Sequence, residues 1–193
     1  KKAHQIYFPN KPHEIIINGA IYNAELNHKS GDSNSNEFKL VVIYDDWKPS
    51  KRMYELIQFV LWMKEEQQLP VVLTIIGYTG KIPHTAPSSM KDRIENSSFI
   101  KVIPRFLHID KIIQKSLLEN DIYITFANRD PCPNVVVEAM SYGLPVVGFA
   151  SGGLPDIVKN AGVLLQEHEE SFFYPYRYES DFPIIDNEKV LEA

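Results

Sequence analysis

Apolar residues fall into short unbroken runs, and between the runs the spacing is helical. FKLVVIY (38–44), VVLTIIG (71–77), FIKVI (99–103), IYITF (122–126), PVVGF (145–149) and GVLL (162–165) are such runs. A strand buried on both faces shows no polar alternation, so each run predicts an inner strand. KRMYELIQFVLWMKEEQ (51–67) places Tyr54, Ile57 and Leu61 on one helical face, and Pro70 follows its end. IDKIIQKSLLEN (109–120), NVVVEAMSY (134–142, closed by Gly143) and LPDIVKN (154–160) predict further helices, with a shorter one near Met90–Ile94. Strands alternating with helices at this spacing predict a doubly wound α/β fold: a Rossmann-like parallel sheet of about six strands with helices on both faces. In such folds ligands sit beyond the carboxyl ends of the strands. The loops 77–90, 104–109, 127–134 and 150–154 are therefore the ones to search.

The two ends break the rhythm. Residues 1–36 are polar and finish in NHKSGDSNSN, a linker composition, although HEIIINGA (13–20) contains a run short enough for an edge strand. The stretch 166–193 is aromatic and acidic with two prolines; it predicts an irregular wrap in which the aromatic residues pack, followed by a helix from Glu188. The chain reads as a single domain over 1–193, and the absence of an initiator Met suggests a piece of something longer.

Charge and composition exclude several partners. The net charge is −5 with no basic stripe, which argues against a nucleic acid. No apolar run approaches the ~20 residues of a membrane helix, and the first residues lack the apolar centre of a signal peptide. The single cysteine, Cys132, excludes an internal disulfide and fits a reducing cytosol. No GxGxxG follows the first strand and no Walker A sequence occurs, which counts against a dinucleotide oxidoreductase or a P-loop NTPase. Asp45-Asp46 reads as a turn, His84 and His108 as polar loop residues, Cys132 as a small filler, and Val136, Val137 and Met140 as core.

The chemistry concentrates in NRDPCPNVVVEAMSYGLPVVGFASGGLPDIV (128–158). Two prolines stiffen the loop after the fourth strand. Asn134 is a suitable N-cap for the next helix. The start of that helix offers unpaired amides and a partial positive charge, a seat for an anion. Glu138 lies one turn inside, where a carboxylate can accept two hydrogen bonds from a vicinal diol such as a ribose. Asp130 lies on the loop before the same helix. An acid, an amide-lined anion seat and a second acid trace the outline of a sugar–diphosphate–ribose ligand.

This segment resembles the hallmark of the retaining GT-B glycosyltransferases of family 4 (glycosyl transferases group 1). That hallmark is a pair of acids separated by seven residues, then AM-x-x-G-x-PVV and a GG-x-P-E loop. Here these are Asp130 and Glu138, AMSYGLPVV (139–147) and GGLPD (152–156). IIINGA (15–20), KLVVIYDDWKPSKRM (39–53), LTIIG (73–77), VIPRF (102–106) and ENDIYIT (119–125) resemble further landmarks in family order, so the likeness runs from about residue 13 to 165.

The resemblance implies the donor-binding C-terminal domain of an enzyme that moves a sugar from a UDP- or GDP-linked donor, with retention of configuration and no cofactor. Glu138 would hold the ribose, Asp130 the donor sugar, and the backbone at Asn134 and Val135 the sugar and diphosphate. Lys51 would neutralise the leaving diphosphate, and Arg105 would lie beside the base. Lys51, Asp130 and Glu138 are thus the candidate catalytic residues. The acceptor, a glycan or lipid-linked sugar, would belong to an N-terminal domain absent from this chain. The expected location is cytoplasmic, with any peripheral contact with the inner membrane made through that other domain. Three positions depart from the pattern. Asp46 stands where an arginine is usual, which makes Lys48 or Arg52 the candidate replacement cation. Arg52 stands where a glycine follows the lysine and would crowd the phosphate. Pro131 and Pro133 remove two backbone donors, with Cys132 between them in place of a frequent aromatic. A sugar-nucleotide epimerase of the same architecture and a non-catalytic nucleotide-binding or scaffold module stay open as alternatives.

Overall fold

The structure is a computed structural model that describes residues 36–44, 48–82, 86–104, 110–166 and 187–192. The possible edge strand at 15–20, the linker and most of the tail lie outside them. In chain order come β1 (Phe38–Ile43), a 3-10 turn (Pro49–Lys51), α1 (Met53–Glu65), β2 (Val71–Tyr78), α2 (Ser89–Glu95) and β3 (Ile100–Pro104). There follow α3 (Asp110–Glu119), β4 (Ile122–Thr125), α4 (Asn134–Ser141), β5 (Val146–Phe149), α5 (Leu154–Val158), β6 (Gly162–Leu165) and α6 (Asn187–Glu192).

The six strands form one sheet in the order β3-β2-β1-β4-β5-β6, and every neighbouring pair is parallel. All eight residues of β2 are buried, which is why its sequence shows no alternation. One face packs on α1, α2 and α6 through Leu56, Ile57, Phe59, Met90, Ile94 and Val190. The other packs on α3, α4 and α5 through Leu117, Val136, Ala139, Leu154 and Val158. The β1–β4 register is held outside the ladder by Asp121, whose amide donates to the Lys39 carbonyl (2.7 Å) while its carboxylate accepts from the Lys39 amide (3.0 Å). Buried Thr74 is satisfied in turn: its hydroxyl donates to Asn120 Oδ1 (3.3 Å), and Asn120 Nδ2 donates to the Ser116 carbonyl (2.6 Å).

The helix expected over 51–67 is shorter at both ends. It starts at Met53 because Arg52 takes a left-handed conformation (φ 51°, ψ 37°) that no helix can continue through. It stops where Gln68 does the same (φ 55°) and Pro70 follows. Asn134 is the first residue of α4, and Pro133 occupies the cap position expected of it. The proline ring fixes φ near the helical value, and its carbonyl accepts from the Val136 amide (3.0 Å). Of the three residues expected in the core of α4, Val136 is fully buried, whereas Val137 and Met140 are half-buried.

Candidate functional site

The strand order reverses direction between β1 and β4. A crevice must open there, because the chain leaving β1 turns to one face and the chain leaving β4 to the other. Two candidate residues come from those loops. Lys51 ends the 3-10 turn after β1, and Asp130 lies in the loop after β4. They meet across the crevice: Lys51 Nζ donates to Asp130 Oδ2 at 2.8 Å, with side chains 27% and 18% exposed.

Short polar contacts fix both loops. The Asn128 amide donates to the Ser50 carbonyl (2.7 Å), joining the β4 loop to the turn beside Lys51. The Arg129 amide donates to Ser151 Oγ (2.8 Å), and the Gly153 amide donates to the Asp130 carbonyl (2.8 Å). The loop after β5 therefore lies directly on the residue carrying the carboxylate. Asp130 also accepts from the Cys132 amide at 3.2 Å, an Asx turn within its own loop. Pro131 and Pro133 leave no competing donors there. Ser50, Asn128 and Ser151 were passed over in the sequence; small polar residues at strand ends were the only signal.

α4 begins directly after this loop. Asn134 is exposed and Val135 half-buried, and their amides stand in the first turn, where an α-helix has no i−4 carbonyl to offer. Glu138, half-buried, follows one turn later. Beneath it, from β4, Tyr123 is fully buried. Desolvation pushes its phenol well above the usual range; Tyr44, Glu138 and Asp130 add to this, and the peptide of Ile43 offsets part of it. Tyr123 Oη has no hydrogen-bond partner among the described residues. The Lys51–Asp130 pair, the start of α4 and Glu138 one turn further thus lie on the segments that follow β1 and β4.

The sequence matches the glycosyl transferases group 1 family over residues 25–172. The chain belongs to that family. No curated protein matches it. Among solved structures it is similar to the pneumococcal O-GlcNAc transferase GtfA, solved with UDP and GlcNAc: 15% identity over 99% of this chain and 35% of that one, TM-score 0.62. It is also similar to WaaG, a glycosyltransferase involved in lipopolysaccharide biosynthesis: 15% identity over 97% and 48%, TM-score 0.61. A mutant of S. aureus TarM, solved with Fondaparinux, α-GlcNAc-glycerol and UDP, shares 17% identity over 100% and 35%, TM-score 0.58. The chain spans between a third and a half of these proteins. At such identities the likeness establishes the GT-B fold, and the family match establishes the glycosyltransferase group.

Within this group 1 domain, Lys51 and Asp130 are brought together at the switch point, and Asn134, Val135 and Glu138 follow in α4, directly after the Asp130 loop. Arg105, Asp45, Asp46, His84 and His108 lie outside the described residues. Arg52 is packed inward: its side chain is 2% exposed, and its guanidinium lies over the Phe149 ring. An apolar cavity of about 350 Å³ lies elsewhere, lined by Phe38, Leu40, Val71 and Ile122 near the amino ends of their strands and by Val190 of α6. Its lining has little to offer a phosphate or a diol.

Proposed function

We propose that the domain binds a nucleoside diphosphate sugar, UDP- or GDP-linked, and forms the donor half of a retaining glycosyltransferase. The observation that carries this reading is the meeting of Lys51 and Asp130 across the switch point, beside the first turn of α4, in a member of glycosyl transferases group 1. Each part has one task. Glu138 accepts hydrogen bonds from the ribose hydroxyls, and Asp130 accepts them from the donor sugar. The amides of Asn134 and Val135 face the diphosphate, with the positive end of the helix behind them. As the sugar–phosphate bond breaks, negative charge collects on the diphosphate. Lys51 and the amides stabilise that charge without reorganising, the electrostatic part of catalysis. In this reading the leaving group needs neither a protein base nor a bound cofactor. Arg105 would flank the base.

The acceptor, a glycan or lipid-linked sugar, is bound by a second domain, and the reaction runs in the cytoplasm in the space between the two. Calorimetric titration of the chain against UDP, GDP, ADP and their common sugar conjugates tests the proposal. Binding of one diphosphate series, tightened by its sugar, is the expected result. Failure of every nucleotide to bind would overturn the donor-site reading and leave a group 1 domain acting as a scaffold.

A further inference from the structure

Arg52 combines two features that rarely occur together. Its backbone is left-handed, a conformation that disfavours residues with a Cβ, and its charged side chain is 2% exposed. A buried guanidinium persists only where partners replace water. Here Arg52 Nε donates to Glu55 Oε1 at 3.3 Å, and the guanidinium carbon stands 5.6 Å from the centre of the Phe149 ring. Phe149 ends β5 and belongs to an aromatic column: its ring is 5.3 Å from Phe126, at the end of β4, and Phe126 is 5.7 Å from Phe59 in α1. Arg52 thus joins the turn leaving β1 to the end of β5, across β4. The neighbouring Ser50 carbonyl is joined to the β4 loop by the Asn128 amide (2.7 Å). Lys51 stands between these two ties.

We propose that Arg52 is a positioning residue: a buried clasp that holds the turn so that the Lys51 ammonium faces the diphosphate of a bound nucleotide. The inference rests on the assignment of Lys51 to the diphosphate. A guanidinium held under the turn is not itself a phosphate ligand, so Arg52 does not take the place of the cation lost at Asp46. Arginine suits the task because its planar fork can stack on Phe149 and donate to Glu55 at once, which an ammonium cannot do.

The readout is the preference for a diphosphate over the bare nucleoside. Dissociation constants of the 193-residue chain for UDP against uridine and GDP against guanosine are measured by calorimetry, using the pair that binds more tightly. Arg52→Met keeps the bulk and removes the clasp. It is expected to narrow the preference by about tenfold, the loss of one charge-assisted contact. Combined with Lys51→Ala it should narrow it no further than Lys51→Ala alone, because both changes remove the same interaction. Arg52→Lys should restore part of the preference. Should Arg52→Met not fold, Glu55→Gln weakens the same clasp more gently and should narrow the preference in the same direction. An unchanged preference in the variants that fold, with only the melting temperature lowered, would mean that Arg52 merely fills space. Additive losses in the double variant would mean it acts apart from Lys51; either result overturns the clasp. If the unsubstituted chain itself shows no preference for the diphosphate, the assignment of Lys51 fails and the clasp fails with it.

Discussion

Lys51 and Asp130 neutralise each other at 2.8 Å. If a diphosphate binds at Lys51, as proposed, it competes with a carboxylate already in place. Both side chains keep contact with water, so the pair is screened and contributes ~1 kcal/mol at most. Asp130→Asn is expected to raise affinity for UDP or GDP a few-fold, while the extra affinity given by an attached sugar falls. Titrations with the diphosphate and its sugar conjugate measure both, and a weaker hold on the bare diphosphate would contradict the competition. Glu138 makes a different prediction. If it grips a ribose diol, Glu138→Ala should cost about 1.5–3 kcal/mol of nucleotide binding, roughly ten- to a hundredfold, with the melting temperature nearly unchanged. Equal affinity in the variant would remove Glu138 from the site. Both acids were legible because they share one loop and helix, where spacing alone fixes their separation. The contact between Lys51 and Asp130 was not, since it joins residues 79 apart through the strand order. The fate of Arg52 was also hidden: the sequence places a charge beside Lys51, and only packing shows that charge buried.

At the scale of elements, the site is three loops resting on one another. The loop after β5 approaches the loop after β4 so closely that a Cβ on Gly152 would collide with the Asp130 carbonyl and one on Gly153 with the Pro131 carbonyl. Both obstacles are backbone, so an added Cβ must push one loop away from the other. Gly152 also has φ +59°. Gly153→Ala should therefore displace Asp130 and weaken sugar-nucleotide binding as well as stability, whereas Gly143→Ala, with φ +78° and nothing near its Cβ, should cost stability alone. Binding unharmed in Gly153→Ala would show that the loops can separate without consequence. Underneath, Tyr44 at the end of β1 shares a hydrogen bond with Thr125 Oγ1 of β4 (3.1 Å). Desolvation pushes its phenol up to about 12, although that hydrogen bond and the peptides of Phe126 and Ala127 pull it down. The unfolded phenol ionises near 10, so stability is complete below pH 10 and falls between pH 10 and 12 as the unfolded chain loses a proton that the folded one keeps. The loss approaches ~3 kcal/mol. Urea midpoints between about pH 9 and 12 should drop less steeply in Tyr44→Phe than in the unsubstituted chain; equal slopes would assign the alkaline loss to other groups. The strands themselves were readable from unbroken apolar runs. The turn at 49–52 was not, because KRMY continues the helical pattern and only the left-handed Arg52 interrupts it.

At the scale of the whole molecule, the described residues form one six-stranded sheet, with the Lys51–Asp130 pair at its switch point. The solved glycosyltransferases that share this fold are two to three times as long as the stretch matched here. A donor held in the crevice still needs an acceptor hydroxyl brought to its anomeric carbon. Holding two reactants in line can lower a barrier by about 7–11 kcal/mol, and the α/β unit formed by the described residues offers a second sugar no opposing wall. The 193 residues are therefore expected to bind a nucleotide and to transfer no sugar. One preparation tests both halves of this expectation. Thermal shift with UDP and GDP should report stabilisation, since a ligand that binds only the folded state raises the melting temperature by mass action. Release of the diphosphate from a panel of donor sugars should stay at the rate of spontaneous hydrolysis, whatever acceptor is added. Acceptor-dependent turnover by this chain alone would show that the crevice needs no second domain. Release without an acceptor, above the spontaneous rate and lost in Lys51→Ala, would show that Lys51 and the start of α4 activate the leaving group unaided, with water taking the acceptor's place.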